Sequence, residues 1–177
     1  MRILRPLRPM AVALFVALVP ILLISINVRL VINWPPLYSR GFDKHERVIG
    51  RYIDIERGEY LRAGEQIREY FNGDAERINV RAAVGGVRMS IFGEREVLHM
   101  SDVKGLVRGV YRIGEVAALY IVAFAVIGLV WSRLCLLPGL GRYLSGGGLL
   151  TLALVLALGL GALVGFDRLF LVFHLVS

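Results

Sequence analysis

The chain has 177 residues, 56% of them hydrophobic and 20% charged, with a mean hydropathy of +0.65. The apolar residues are gathered into long runs, which excludes an ordinary soluble domain. The net charge of +7 does not point to nucleic acid, because the basic residues flank apolar runs or alternate with Asp and Glu; anionic lipid head groups are the expected reason for the excess.

Residues 1–9 carry Arg2, Arg5 and Arg8 with no acid, and are expected to be a cytoplasmic N-terminus. Residues 10–28 are then uncharged, and at 1.5 Å per residue they cover about 28 Å, close to the hydrocarbon thickness of a bilayer. A cleaved signal peptide has a shorter apolar region of about 7–15 residues, so a retained first transmembrane helix is expected over 10–32. Trp34-Pro35-Pro36 is expected to end it, with Trp34 and Tyr38 at the interface.

Residues 33–102 are charged and read as an extracytoplasmic domain. Stretches 42–55 and 59–71 have the spacing of amphipathic helices, and Asn72-Gly73 is a stop signal. Ile78, Val80 and Ala82 then alternate with polar neighbours. Gly85-Gly86 is placed to turn that strand into 87–92, giving a short β-hairpin. Residues 103–115 read as an interfacial amphipathic helix. Val103, Leu106, Val107, Val110 and Tyr111 form its apolar face, and Lys104, Arg108 and Arg112 a basic stripe suited to phosphate head groups. A solvated helix face is the plainer reading of that stripe. Gly105, Gly109 and Gly114 are expected to let the chain bend before the bilayer.

A second transmembrane helix is expected at 116–131 and a cytoplasmic loop, with Pro138 and several glycines, at 132–145. The third helix is expected at 146–166, where Ala157, Gly161 and Gly165 have small-xxx-small spacing for close helix contact. Residues 167–177 begin a fourth apolar run. The fold class is therefore an α-helical integral membrane protein with three full spans and the start of a fourth. Its extracytoplasmic domain is small and mostly helical.

By parity, His99 and His174 fall on the same outer side. A histidine next to or within an apolar run is a functional candidate, since imidazole titrates near neutral pH and suits acid–base work. Asp102, three residues after His99, shares its helix face. The plainer readings are an exposed surface His99 and an interfacial His174; His45, in Asp43-Lys44-His45-Glu46, reads as solvated. A metal site from His99, Asp102 and His174 with Glu96 or Asp167 is a competitor, but His-x-x-Asp is a weak spacing signal. No Gly-x-Ser-x-Gly elbow supports Ser90 or Ser101 as a nucleophile. The single cysteine, Cys135, leaves no disulfide or CxxC site and reads as inert packing. Without a nucleophile of its own, a histidine pair suits a substrate that brings an amine, as in acyl transfer between lipid-linked groups.

Two blocks carry a family resemblance: Phe92-Gly-Glu-Arg-Glu-Val-Leu-His-Met-Ser-Asp-Val-Lys104 and Phe166-Asp-Arg-Leu-Phe-Leu-Val-Phe-His174. They resemble the His-Met-x-Asp-Val-Lys and Phe-Asp-x-x-Phe-x-x-Phe-His blocks of the bacterial lipoprotein intramolecular transacylases (Lit). The resemblance implies a cell-membrane acyltransferase with four helices. Its substrate would be a diacylglyceryl lipoprotein, whose sn-2 acyl chain moves to the α-amino group of the same cysteine. It implies His99 and His174 as essential histidines, with Asp102 in support. Lys104, Arg108 and Arg112 would hold lipid phosphate or steady the interfacial helix. No cofactor and no metal are expected, and membrane lipids and the lipoprotein are the partners of a monomer. The family continues past the second histidine into a complete fourth helix, whereas this chain stops three residues later. It is expected to be either a fragment or a protein without that span. The alternatives are a non-catalytic membrane subunit with a partner-binding outer domain, or a metal-dependent membrane hydrolase.

Overall fold

A computed structural model describes residues 7–52, 54–132 and 137–176, with the side chains of 8–45, 54–130, 139–163 and 165. The elements in order are α1 (Leu7–Asn33), α2 (Pro35–Tyr52), α3 (Arg57–Asn72), β1 (Arg81–Val84), β2 (Val87–Ser90), α4 (Glu94–Ser132) and α5 (Leu137–Val176). They form two compact units. One is Ser25–Arg112; the other comprises the described residues before Ser25 and after Arg112.

The Ser25–Arg112 unit has a core of Ala63, Tyr70 and Phe71 from α3, Ile78 and Val80 ahead of the hairpin, and Val107 from α4. Its helices approach closely where Gly64 faces Tyr38: a Cβ there would lie 3.1 Å from the Tyr38 ring. Tyr38 in turn donates its hydroxyl to the Ile32 carbonyl at 2.9 Å. α2 starts at Pro35-Pro36, so these prolines open a helix as well as follow one; the first turn has N–H groups with no helical partner, and proline loses nothing there. β1 and β2 pair antiparallel, and the two-residue turn is Gly85-Gly86, at φ 56° and 80°. Both angles lie in the left-handed region that glycine enters without strain.

The other unit is built on Phe15, Val19 and Leu140, with Tyr120, Phe124 and Tyr143 packed against them. Phe15 is 1% exposed, and its ring centroid lies 4.9 Å from that of Phe124. Tyr120 donates its hydroxyl to the Ala11 carbonyl at 3.0 Å. Away from this contact the side chains are apolar and outward, as at Leu119, Val130, Leu149 and Leu163. Arg8–Asn33, Glu94–Val130 and Gly139–Leu163 are long and apolar enough to cross a membrane. Outward apolar side chains are what a lipid solvent permits.

Several expected boundaries are corrected. The division at 115/116 is no break: α4 runs uninterrupted for 39 residues, about 58 Å at the helical rise, against a hydrocarbon core of roughly 30 Å. Gly105 and Gly109 face open space, Gly114 is buried, and all three lie within the helix. The loop expected at 132–145 is helical from Leu137, because Pro138 falls in the first turn of α5; 133–136 lie outside the described residues. Gly165 has φ −159° and ψ 53°, which breaks α5 next to the expected 166/167 boundary. Among the described residues a close helix contact lies at Gly147, where a Cβ would sit 2.5 Å from Val19 Cβ; Ala157 is exposed and Gly165 faces open space.

Candidate active site

α4 begins at Glu94 with a half capping box. The Gly93 N–H donates to Glu96 Oε2 at 2.7 Å, and Glu94 and Glu96 put negative charge at the positive end of the helix. His99 and Asp102 follow in the next turns. Both are exposed on one face, and among the described residues neither makes a hydrogen bond or ion pair. The apolar side of the same helix, Val97, Met100, Val103 and Val107, packs on the core of the unit. His99 is thus an exposed imidazole on a helix anchored from behind.

A second face of α4 is fastened by polar contacts. Lys104 is 5% exposed; its ammonium donates to the Ala75 carbonyl at 2.7 Å and lies 4.1 Å from the centre of the Tyr70 ring. Arg108 donates to the Gly73 carbonyl at 2.6 Å and pairs with Asp74 at 3.0 Å. Ser101 donates to the Glu76 carbonyl at 3.3 Å. Residues 101, 104 and 108 therefore hold the 73–76 backbone against α4. A cleft of about 420 Å³ lies along this seam, lined by Asp74, Glu76, Arg77, Leu98, Ser101 and Arg108 among others. His99 and Asp102 do not line it. Of the three cations expected to bind substrate, two are engaged inside the unit and Arg112 is exposed.

Tyr111 links α4 to the end of α1: its hydroxyl accepts from Asn33 Nδ2 at 3.3 Å, and the Arg29 guanidinium lies 5.0 Å from its ring centre. His45 contacts the Gly41 carbonyl through Nδ1 at 3.0 Å within α2. His174 lies on α5 beyond the Gly165 break; its side chain, like those of Asp167 and Cys135, is outside the described residues. Among the described residues no three His, Cys, Asp or Glu side chains converge as metal ligands. Ser101 and Tyr70 also support α4, and neither stands out in the sequence. The 101/104/108 spacing was visible, but the partners are backbone carbonyls some thirty residues away.

The family model described as lipoprotein intramolecular transacylase Lit matches residues 13–177, a span that includes both histidine blocks. No curated protein and no solved structure matches the chain. A match over nearly the whole chain, carried on three membrane-length apolar helices, makes this a membrane protein of the lipoprotein intramolecular transacylase family, which are acyltransferase enzymes.

Proposed function

We propose that the protein moves the sn-2 acyl chain of a diacylglyceryl lipoprotein onto the α-amino group of the same N-terminal cysteine. The product is a lyso-form lipoprotein with an N-acyl group and one ester chain. The observation that supports this most is the family match across both histidine blocks. It is joined by an exposed His99 on the helix that leads from a polar unit into a membrane-length apolar stretch.

The reaction balances without a cofactor. The amine attacks the ester carbonyl, an N–C bond forms, the C–O bond to glycerol breaks, and the proton lost by nitrogen ends on the glyceryl oxygen. His99 and His174 are the proton-transfer groups: a neutral imidazole takes the proton from the adduct, and an imidazolium delivers one to the departing oxygen. Asp102 supports His99 from the same helix face. Lys104 and Arg108 are positioning residues that fix α4 through the 73–76 backbone. Exposed Arg112 contacts lipid head groups. The arginines of residues 1–9 support a cytoplasmic N-terminus and, with it, an extracytoplasmic location for the Ser25–Arg112 unit.

Single-turnover acyl transfer by the chain in lipid nanodiscs tests this. His99→Ala and His174→Ala are each expected to slow transfer by roughly 10²–10⁴-fold, the usual worth of a general acid or base; His45→Ala is expected to leave it unchanged. Wild-type rates in both of the first two variants would contradict the assignment.

A further inference from the structure

The two edges of the hairpin are treated in opposite ways. With a two-residue turn, Val84 and Val87 face each other as a hydrogen-bonded pair, as do Ala82 and Met89; the Ile91 N–H to Val80 carbonyl bond at 3.1 Å continues that phase. The backbone groups of Arg81 and Ala83 therefore point away from the ladder on the β1 side, and those of Arg88 and Ser90 on the β2 side.

On the β1 side α3 closes the edge. Gln66 acts like a strand residue, accepting from the Arg81 N–H at 3.1 Å and donating to the Arg81 carbonyl at 3.2 Å. Glu59, only 8% exposed, accepts from the Ala83 N–H at 3.1 Å. At the turn, Gly85 donates its N–H to the Asp54 carbonyl at 2.8 Å, and Ile55 bridges Val84 at the end of β1. On the β2 side, among the described residues, the backbone of Arg88 and Ser90 has no partner. Every β2 residue is exposed, and Val87 and Met89, at 65% and 49%, lay an uncovered apolar ledge beside the open edge.

We propose that the open edge of β2 receives the substrate's own polypeptide, just beyond the acylated cysteine, as an added β-strand. This rests on the transacylase reading and extends it from the lipid end of the substrate to its peptide end. Three arguments select that occupant. The edge is four residues, about 13 Å, so pairing with a second copy buries far less than the roughly 1,000 Å² of a stable interface. Burial in lipid would leave the outward N–H and C=O groups unsatisfied, which hydrocarbon does not tolerate. Main-chain bonding reads no side chains, which suits an enzyme whose family name specifies lipoproteins as a class. The bound segment runs extended along Arg88 and Ser90, with alternate side chains over Val87 and Met89.

The test compares diacylglyceryl-cysteine amide with a diacylglyceryl-cysteinyl dodecapeptide, using the chain in nanodiscs. Kcat/KM is expected to be roughly tenfold higher for the long substrate, the size of one or two main-chain hydrogen bonds. Arg88→Pro removes an outward N–H without breaking the ladder, and is expected to bring the long-to-short ratio near one. Arg88→Ala, which keeps the N–H, is expected to preserve that ratio. Amide exchange at Arg88 and Ser90 should slow with the long substrate only, while Ala83 stays protected throughout. Equal kcat/KM for the two substrates, or a ratio untouched by Arg88→Pro, would overturn strand docking and leave the transacylase reading standing. So would protection that rises with protein concentration alone, meaning a second copy, or with nanodisc insertion alone, meaning the lipid surface. Slowed exchange with no acyl transfer would keep the docking edge and remove the transacylase reading.

Discussion

The two units solve the same problem in different solvents. Between Ser25 and Arg112, buried apolar side chains are joined by polar contacts that reach across elements, as from Lys104 to Ala75 and from Glu59 to Ala83. In the other unit a small aromatic cluster around Phe15 is surrounded by apolar side chains that face outward. Water makes burial favourable and leaves unpaired polar groups costly, so the first unit needs both a core and partners for its backbone. Lipid offers no such drive between helices, and contact there depends on close fit, which Gly147 against Val19 supplies. α4 serves both units, and its residues change character within one unbroken helix.

The largest effect should separate chemistry from folding. His99 is exposed and its side chain makes no hydrogen bond or ion pair among the described residues, so His99→Ala is expected to cost within about 0.5 kcal/mol of stability while transfer falls by orders of magnitude. Thermal unfolding in detergent beside single-turnover transfer reads both; parallel losses would make His99 a structural residue. Next comes the lipid-side contact. Gly147→Val forces Val19 and the α5 backbone apart and is expected to cost about 1–3 kcal/mol, partly relieved by Val19→Ala in a double-mutant cycle. Gly148→Val, which meets open space, is the neutral control.

On the polar side, Lys104→Met keeps most of the stem but removes the bond to Ala75, at about 1–3 kcal/mol for an orphaned carbonyl and a lost ring contact. Amide exchange over 73–78 is expected to quicken. If stability held while lipid affinity dropped, Lys104 would be a head-group ligand instead. The smallest effect concerns pH. The Ala83 N–H holds the Glu59 carboxyl below its usual range, opposed by burial and aided by Arg62. A folded pKa below the unfolded one gives stability that is full above the unfolded value and is lost as pH falls through the folded one. Glu59→Gln is therefore expected to lower stability near neutral pH and to flatten acid unfolding in that window.

Local signals in the sequence carried well into the structure. Gly85-Gly86 makes the turn, α3 stops at Asn72, and the apolar runs become the membrane-length helices. Punctuation was less faithful. Trp34-Pro35-Pro36 does end α1, but its prolines also open α2; Pro138, expected in a loop, falls in the first turn of α5, and the α4 glycines lie within one uninterrupted helix. Within the candidate site, the shared face of His99 and Asp102 follows from spacing alone. The inward turn of Lys104 does not, because a stripe of period four looks alike whether it meets lipid phosphates or backbone carbonyls from a distant loop. Gln66 and Glu59 as edge caps were equally hidden, since their partners lie fifteen and twenty-four residues away.

Acyl transfer is read directly by mass spectrometry of lipoprotein N-terminal peptides from a host without its own N-acylation. Peptides would be compared with and without the chain, and with its His99→Ala and His174→Ala variants. One acyl mass is expected to move from the glyceryl group to the cysteine amine, and either substitution is expected to abolish the transfer. Unchanged diacyl peptides alongside well-inserted protein would contradict it.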